Sequence, residues 1–431
     1  MTTQDYFFRS LASISLLAVS AGAMASDSAC EAAQLSMGDA TGYMLEHNPQ
    51  IDEARSALDG ARADQVTASE RPNPVLTFNS TAYNTRTGLG SGGIWQKKLD
   101  SVLRLDQTIE RGGKRNLRLQ AAAAGLDAAE SDYQDLIRQL RLATANSYYD
   151  LLLAQLRVDV NRQLAELQHK TEEASALRFA AGDIAEADLI RIRVERARAD
   201  SDLQRAQAEL QAAQIALAHL MGCEQATKLT AASEWPNPAA ESLIDDRISL
   251  EQRPDVKAAR AREQRSQTLA GLAEAQRTRD VSVGLQYEHF PPDGQQLLGV
   301  GFSVPLFLFH RYDGEIARAR ADADAASAAA RQTRADALAD IEQARSALRH
   351  AAERARRAEQ DFLPLSEKAA AAMDFSYTHG AVGALDLLDA RRTLHAAKLE
   401  ALDAQAAYAK ALTAWKAAEN LPQILLPSPT P

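Results

Sequence analysis

A chain of 431 residues with 5% aromatic and 25% charged residues, rich in Ala and Leu, is composed for long helices rather than for a compact catalytic core. Its formal net charge of −10, with no basic patch interleaved with aromatics, argues against a nucleic-acid partner. The absence of a nucleophile motif, a phosphate loop or a zinc signature argues against an enzyme, and neither the scattered histidines nor the unclustered methionines suggest a metal site or a cofactor.

In chain order, the apolar stretch Leu11 to Val19 followed by Ala23-Met24-Ala25 predicts a signal peptide over residues 1–25, cleaved before Ser26. No later stretch approaches the ~20 apolar residues of a membrane-spanning helix, so an exported chain without such a helix is expected. Its two cysteines, Cys30 and Cys223, then reach an oxidising compartment, where they either pair as a disulfide if the first repeat folds back on itself or stay free thiols. Acylation of Cys30 is disfavoured, because Asp27 stands where a lipoprotein signal needs Leu or a similar residue.

The rest of the chain reads as a tandem duplication, with a first repeat over 26–222, a linker over 223–250, a second repeat over 251–419 and a tail over 420–431. The repeats open at Asn48-Pro49-Gln50-Ile51 and Arg253-Pro254-Asp255-Val256, each with a helix of about twenty residues. A strand pair follows in each. Leu76, Phe78 and Ser80 alternate with Thr77, Asn79 and Thr81, and Leu103, Leu105, Gln107 and Ile109 with Arg104, Asp106 and Thr108. In the second repeat Val281, Val283, Leu285, Tyr287 and His289 alternate with polar residues or Gly, and so do Leu298, Val300, Phe302 and Val304. Strands of about ten residues cross an outer membrane when tilted. Arg104 and Asp106 share one strand face, which would look into a lumen or onto another protomer, and Tyr83, Trp95 and Tyr287 suit an interfacial aromatic girdle.

Behind each strand pair a very long helix is predicted, from Lys114 to about Phe179 and from Arg311 to about Tyr377, the second with a kink or short break at Pro364. Breakers at Phe179-Ala-Ala-Gly182 and Tyr377-Thr-His-Gly380 reverse the chain. Two coiled-coil seams return from them, one from Leu189 through Ile192, Arg196, Ala199, Leu203, Ala206, Leu210 and Ala213 to Leu217, the other from Leu387 through Ala397, Ala401, Ala404 and Tyr408 to Trp415. Four strands cannot close a barrel alone, and hydrocarbon offers an open edge no partner, so two, three or more chains must complete it. The fold class is therefore mainly α with a small membrane β-barrel portion, built from tandem-duplicated helical hairpins and four strands per chain.

Over nearly its whole mature length this arrangement resembles the TolC family of outer-membrane efflux channels, on the repeat openings, the strand pairs, Phe179…Gly182…Asp188-Leu189 and Tyr377…Gly380…Asp386-Leu-Leu-Asp389-Ala390. Arg71-Pro72-Asn73-Pro74, Gly112-Gly113-Lys114-Arg115 and Val304-Pro-Leu-Phe-Leu-Phe-His-Arg311 resemble its heavy-metal branch, the CzcC-like channels. The resemblance implies a homotrimer with a twelve-stranded barrel in outer-membrane lipid and a long periplasmic α-barrel. It also implies a periplasmic adaptor and an inner-membrane pump of the resistance-nodulation-division class as partners, and a passive exit duct, here for divalent heavy-metal cations. A drug-efflux or type I protein-secretion channel is the alternative on the same fold, and a structural coiled-coil envelope protein the alternative outside it.

Within that resemblance Asp386 and Asp389, three apart on one side of a helix, form the acidic periplasmic gate; the other reading is a helix-start carboxylate and a solvated acid. Tyr377 and Asp188 match the lock that holds the hairpin tips closed, while Val382 stands where the family carries an arginine. Gly182 and Gly380 end their helices and are expected to expose the tips on which the adaptor docks.

Overall fold

The computed structural model describes residues 34–81, 85–86, 88–93, 96, 99–223, 229–232, 235–237, 250–290 and 295–420. The expected signal peptide, Cys30, Tyr83, Trp95 and the tail beyond 420 lie outside them. A short strand β1 (Gln34–Leu35) leads into α1 (Met37–His47) and α2 (Pro49–Ser69), then strands β2 (Val75–Thr81) and β3 (Asp100–Ile109). The hairpin of α3 (Lys114–Ala180) and α4 (Glu186–Met221) completes the first repeat. After β4 (Thr230–Ala231), the second repeat runs through α5 (Pro254–Ala275), β5 (Val281–Phe290), β6 (Gln295–Ser303), α6 (Asp313–Arg357), α7 (Leu363–Thr378) and α8 (Ala384–Ala418).

The long helices follow from composition: α3 runs 67 residues without a proline, a rod of about 100 Å at ~1.5 Å per residue. Its counterpart meets Pro364, whose ring cannot coexist with the carbonyl four residues back. Helix continuity survives through a π-turn over Ala358–Phe362, in which the Leu363 N–H reaches back to the Ala358 carbonyl. The expected interruption is therefore a register change, not a break. Both seams pack as read, with Leu189, Ile192, Ala199, Ala206 and Leu217 buried on α4 and Leu387, Ala397, Ala401, Ala404, Tyr408 and Trp415 on α8. Small Ala at so many seam positions lets neighbouring helices approach closely.

Each repeat stacks its closing helix against its opening one. Asn48, which caps α2, donates from Nδ2 to the Leu220 carbonyl at the end of α4 at 2.8 Å. Arg253, just before α5, donates from Nη1 to the Ala418 carbonyl at the end of α8 at 3.3 Å. In both, a proline at the first helical position follows the donor, where its missing N–H costs nothing. The inter-repeat segment is no free linker: β4 pairs in parallel with β1, and Tyr148 Oη donates to the Ala232 carbonyl at 2.8 Å.

The four longer strands form one antiparallel sheet in the order β2-β3-β5-β6. Register places Leu76, Leu105, Leu285 and Val300 in one row and Phe78, Leu103, Tyr287 and Leu298 in the next, all on one face. This apolar face is open: Leu298, Val300 and Phe302 are 88%, 78% and 81% exposed. The opposite face carries mainly polar residues, Thr77, Asn79, Arg104, Asp106, Gln286, Glu288, Ser282 and Ser303, with Val75, Val102 and Leu297 among them.

Strands join helices through the Gly112-Gly113-Lys114-Arg115 motif. Both glycines are left-handed at φ 71°, and a Cβ on Gly112 would stand 2.8 Å from the Thr278 side chain. Lys114, buried, pairs with Asp280 at 2.8 Å, and Arg115 donates to the Ser69 carbonyl at the end of α2 at 2.7 Å. Asp280→Asn removes the counter-ion of a buried ammonium and is expected to destabilise the protein by on the order of 3 kcal/mol. A lowered thermal midpoint of the detergent-purified protein checks this, and adding Lys114→Met should recover most of the loss.

Candidate functional site

The two hairpin tips are built alike. At the first, the Gly182 N–H bonds the Phe179 carbonyl at 2.9 Å and the Asp183 N–H bonds the Arg178 carbonyl at 2.9 Å. At the second, Gly380 bonds Tyr377 at 3.1 Å and Ala381 bonds Ser376 at 2.9 Å. Each is a helix end satisfied through a left-handed glycine, at φ 84° for Gly182 and φ 73° for Gly380. Around both glycines the space is open, so a side chain there meets backbone strain but no neighbour. Apolar side chains stand exposed beside the turns, among them Leu177, Phe375 and Leu385.

Asp386 and Asp389 lie near the start of α8, exposed, while Leu387 and Leu388 between them are buried. The seam thus forces both carboxylates outward. Asp386 also receives the Gly383 backbone N–H at 3.4 Å, so it serves its own helix start as well as facing solvent.

Tyr377 does not bond Asp188 within this chain. Its hydroxyl accepts from Arg178 Nη1 at 3.3 Å, and the same guanidinium lies 5.6 Å from the ring centroid. Arg178 offers one tyrosine both a donor and a cation for its ring face, whereas Asp188 sits in the first turn of α4, 3.7 Å from Arg191. Within this chain, then, Tyr377 meets Arg178 and Asp188 meets Arg191.

Further ties join the two hairpins above the tips. Arg391 on α8 donates to Thr171 Oγ1 on α3 and to Asp374 on α7, each at 2.7 Å. Arg392 grips Glu195 of α4, with Nε at 2.9 Å. His395 Nε2 meets Asn161 Oδ1 of α3 at 3.1 Å. Sequence reading missed all of these; the signal was there in two adjacent arginines directly after the acidic pair, in a helix otherwise rich in Ala and Leu. Among the described residues no cluster of three or more His, Cys, Asp or Glu side chains could hold a metal ion, and no helix is long and apolar enough to cross a membrane.

Together these features define an envelope channel subunit: paired helical hairpins carrying a short sheet with one open apolar face. The chain belongs to the Outer membrane efflux protein family, which matches residues 42–223 and 247–419. It is 29% identical over 363 residues to the cobalt-zinc-cadmium resistance protein CzcC of Cupriavidus metallidurans, covering 82% of each chain. Its structure is similar to the outer-membrane channel OprN, with a TM-score of 0.76 and 24% identity over 89% of each chain. It is also similar to the transmembrane channel CusC, with a TM-score of 0.76 and 18% identity over 89% of this chain and 91% of that one. The chain is therefore an outer-membrane efflux channel and not an enzyme.

Acid should loosen the hairpin ties in two stages. Burial holds His395 below its ordinary 6.5, so the stability its neutral form contributes is present above that value and falls away as pH drops below it. Hydrogen bonds from Arg392 and Arg196 hold Glu195 and Glu172 below 4.5, so their contribution is lost at lower pH still. Limited proteolysis at the tips should rise first below about pH 6.5 and again in the carboxylate range, with His395→Gln removing the first step.

Proposed function

We propose that three copies of this chain assemble into one conduit, a twelve-stranded β-barrel in the outer membrane continued by a periplasmic α-barrel, and that it is a passive exit for divalent heavy-metal cations. The observation that carries the assembly is the sorting of the sheet into an apolar and a polar face while β2 and β6 remain edges. Lipid suits the first face, water and ions the second, and only further copies supply the missing edge partners. The periplasmic adaptor docks at the tips around Gly182 and Gly380, where exposed apolar side chains surround two turns of the same build, and an inner-membrane pump of the resistance-nodulation-division class drives export through it.

Support for divalent cations comes from the net charge of −10, from Asp386 and Asp389 turned outward at the second tip, and from the likeness to a protein named for cobalt-zinc-cadmium resistance. Stacked carboxylate rings in a symmetric assembly attract cations and repel one another, which favours an opening tip. The exit needs no tight ligand set, since ions must leave as readily as they enter. Cys223 is disulfide-bonded, and the reading includes a Cys30–Cys223 bridge because the chain has two cysteines; a thiol assay on the intact protein should find no reactive group.

A deletion strain, with and without the gene restored, should become hypersensitive to some of zinc, cobalt, nickel, cadmium, copper and silver while its tolerance of detergent and drugs is unchanged. Sensitivity confined to organic toxicants would move the reading to drug efflux, and none at all to protein secretion. Asp386→Ala combined with Asp389→Ala should raise single-channel conductance or relieve divalent-cation block in a planar bilayer; an unchanged trace would remove these residues from the gate.

A further inference from the structure

We propose that Arg104 is a selectivity-determining residue of the outer-membrane barrel: laid flat on a floor of glycines, it neutralises Asp106 at the wall and keeps the exit from trapping the divalent cations it releases. The inference rests on the reading of the polar sheet face as the lumen.

Three glycines crowd one spot on that face. Register sets Asp106 opposite Gly284 and Gly284 opposite Gly301, and in the next row Arg104 opposite Gln286 and Gln286 opposite Gly299. A glycine inside a strand costs roughly 0.5–1 kcal/mol and marks a close approach of something else. Here the thing that approaches is a side chain. A Cβ on Gly284 would collide with the Asp106 carboxylate and stand 3.1 Å from Arg104 Nε. A Cβ on Gly301 would stand 3.5 Å from Arg104 Nη2, two strands away from the residue that carries it.

Strand side chains ordinarily stand away from the sheet. Arg104 instead runs diagonally from β3 over β5 towards β6, its Nε donating to both Asp106 carboxylate oxygens at 2.9 and 2.8 Å. Both partners remain partly open to solvent, 33% and 24% exposed, so the pair is part of the face that lines the path and not of a sealed core. Flattening does two things at once: it keeps a long cation out of the lumen, and it fixes the charge beside the carboxylate.

The same face carries Asp100 and Glu288 nearer the loop end of the sheet. With Arg104 in place, two of the three carboxylates on this face among the described residues are left without an arginine beside them; without it, Asp106 joins them, and the set repeats in every copy around the barrel. Low-dielectric walls focus such a field. A mildly negative lining draws cations through, whereas a denser one holds a divalent ion at the exit.

The test is planar-bilayer recording of the purified full-length protein across a potassium chloride gradient, with zinc added as the blocking ion. Arg104→Gln should shift the reversal potential towards cations and bring zinc block at roughly tenfold lower concentration, and adding Asp106→Asn should reverse both changes. Asp106→Asn alone leaves an uncompensated guanidinium and should shift the potential the opposite way, a sign a merely structural role would not produce. Wild-type reversal potential and zinc block in both charge variants would overturn the proposal; a wild-type protein that forms no conducting pore would overturn the conduit reading with it.

Discussion

Backbone hydrogen bonding in a medium that cannot supply it is the constraint from which the rest of this structure follows. Strands β2 and β6 each leave one row of N–H and C=O groups without a partner in the chain's own sheet, and each group stranded in hydrocarbon costs several kcal/mol. In the proposed assembly, closing the sheet with copies of itself removes both rows at once. In that assembly the helices would follow the same axis, since only four residues separate α3 from β3 and nine separate α6 from β6. The β3–α3 junction accordingly carries two left-handed glycines, a buried lysine paired with Asp280, and an arginine that donates to the end of α2.

Duplication solves the second difficulty, that a two-stranded ribbon and one helical hairpin bury too little to stand alone. Both repeats use one plan, with a polar side chain before a proline bonding the last carbonyls of the closing helix, but the second repeat spends charge where the first spends an amide. Asn48 makes a neutral bond, whereas the buried Arg253 is held between Asp255 and Asp340, each at 2.9 Å, and raised further above its already high value. The desolvation of that guanidinium is offset only because both carboxylates and two backbone carbonyls reach it.

What was legible in the sequence was what depends on periodicity or on one residue's conformational freedom. Alternation in the strands separated the two sheet faces, the heptad steps named the buried seam residues of α4 and α8, and Gly182 and Gly380 marked turns that demand a positive φ. What was not legible depended on which elements become neighbours and how each is rotated. Tyr377 takes Arg178 instead of Asp188 because α3 and α7 present those side chains to each other, a fact of helix rotation that no spacing encodes. The two-residue pairing of β1 with β4 is too short to carry a pattern. Arg104 read as a face-sharing partner of Asp106, but that it lies along the sheet required knowing that Gly284 and Gly301 stand beside it.

The placement of the interhelical ties says how the proposed tip could open. A swing of the second hairpin away from the first must break Arg178–Tyr377, Arg391–Thr171, Arg392–Glu195 and His395–Asn161, which join α7 and α8 to α3 and α4. Contacts of this partly exposed kind are worth about 0–1 kcal/mol apiece, so these polar ties together add a few kcal/mol to the cost of the swing. A partner bound at the tips can supply that difference if it prefers the open arrangement by a comparable amount. In the proposed gate, mutual repulsion of the carboxylates at Asp386 and Asp389 would lower the requirement further, next to the closing arginines Arg391 and Arg392 on the same helix.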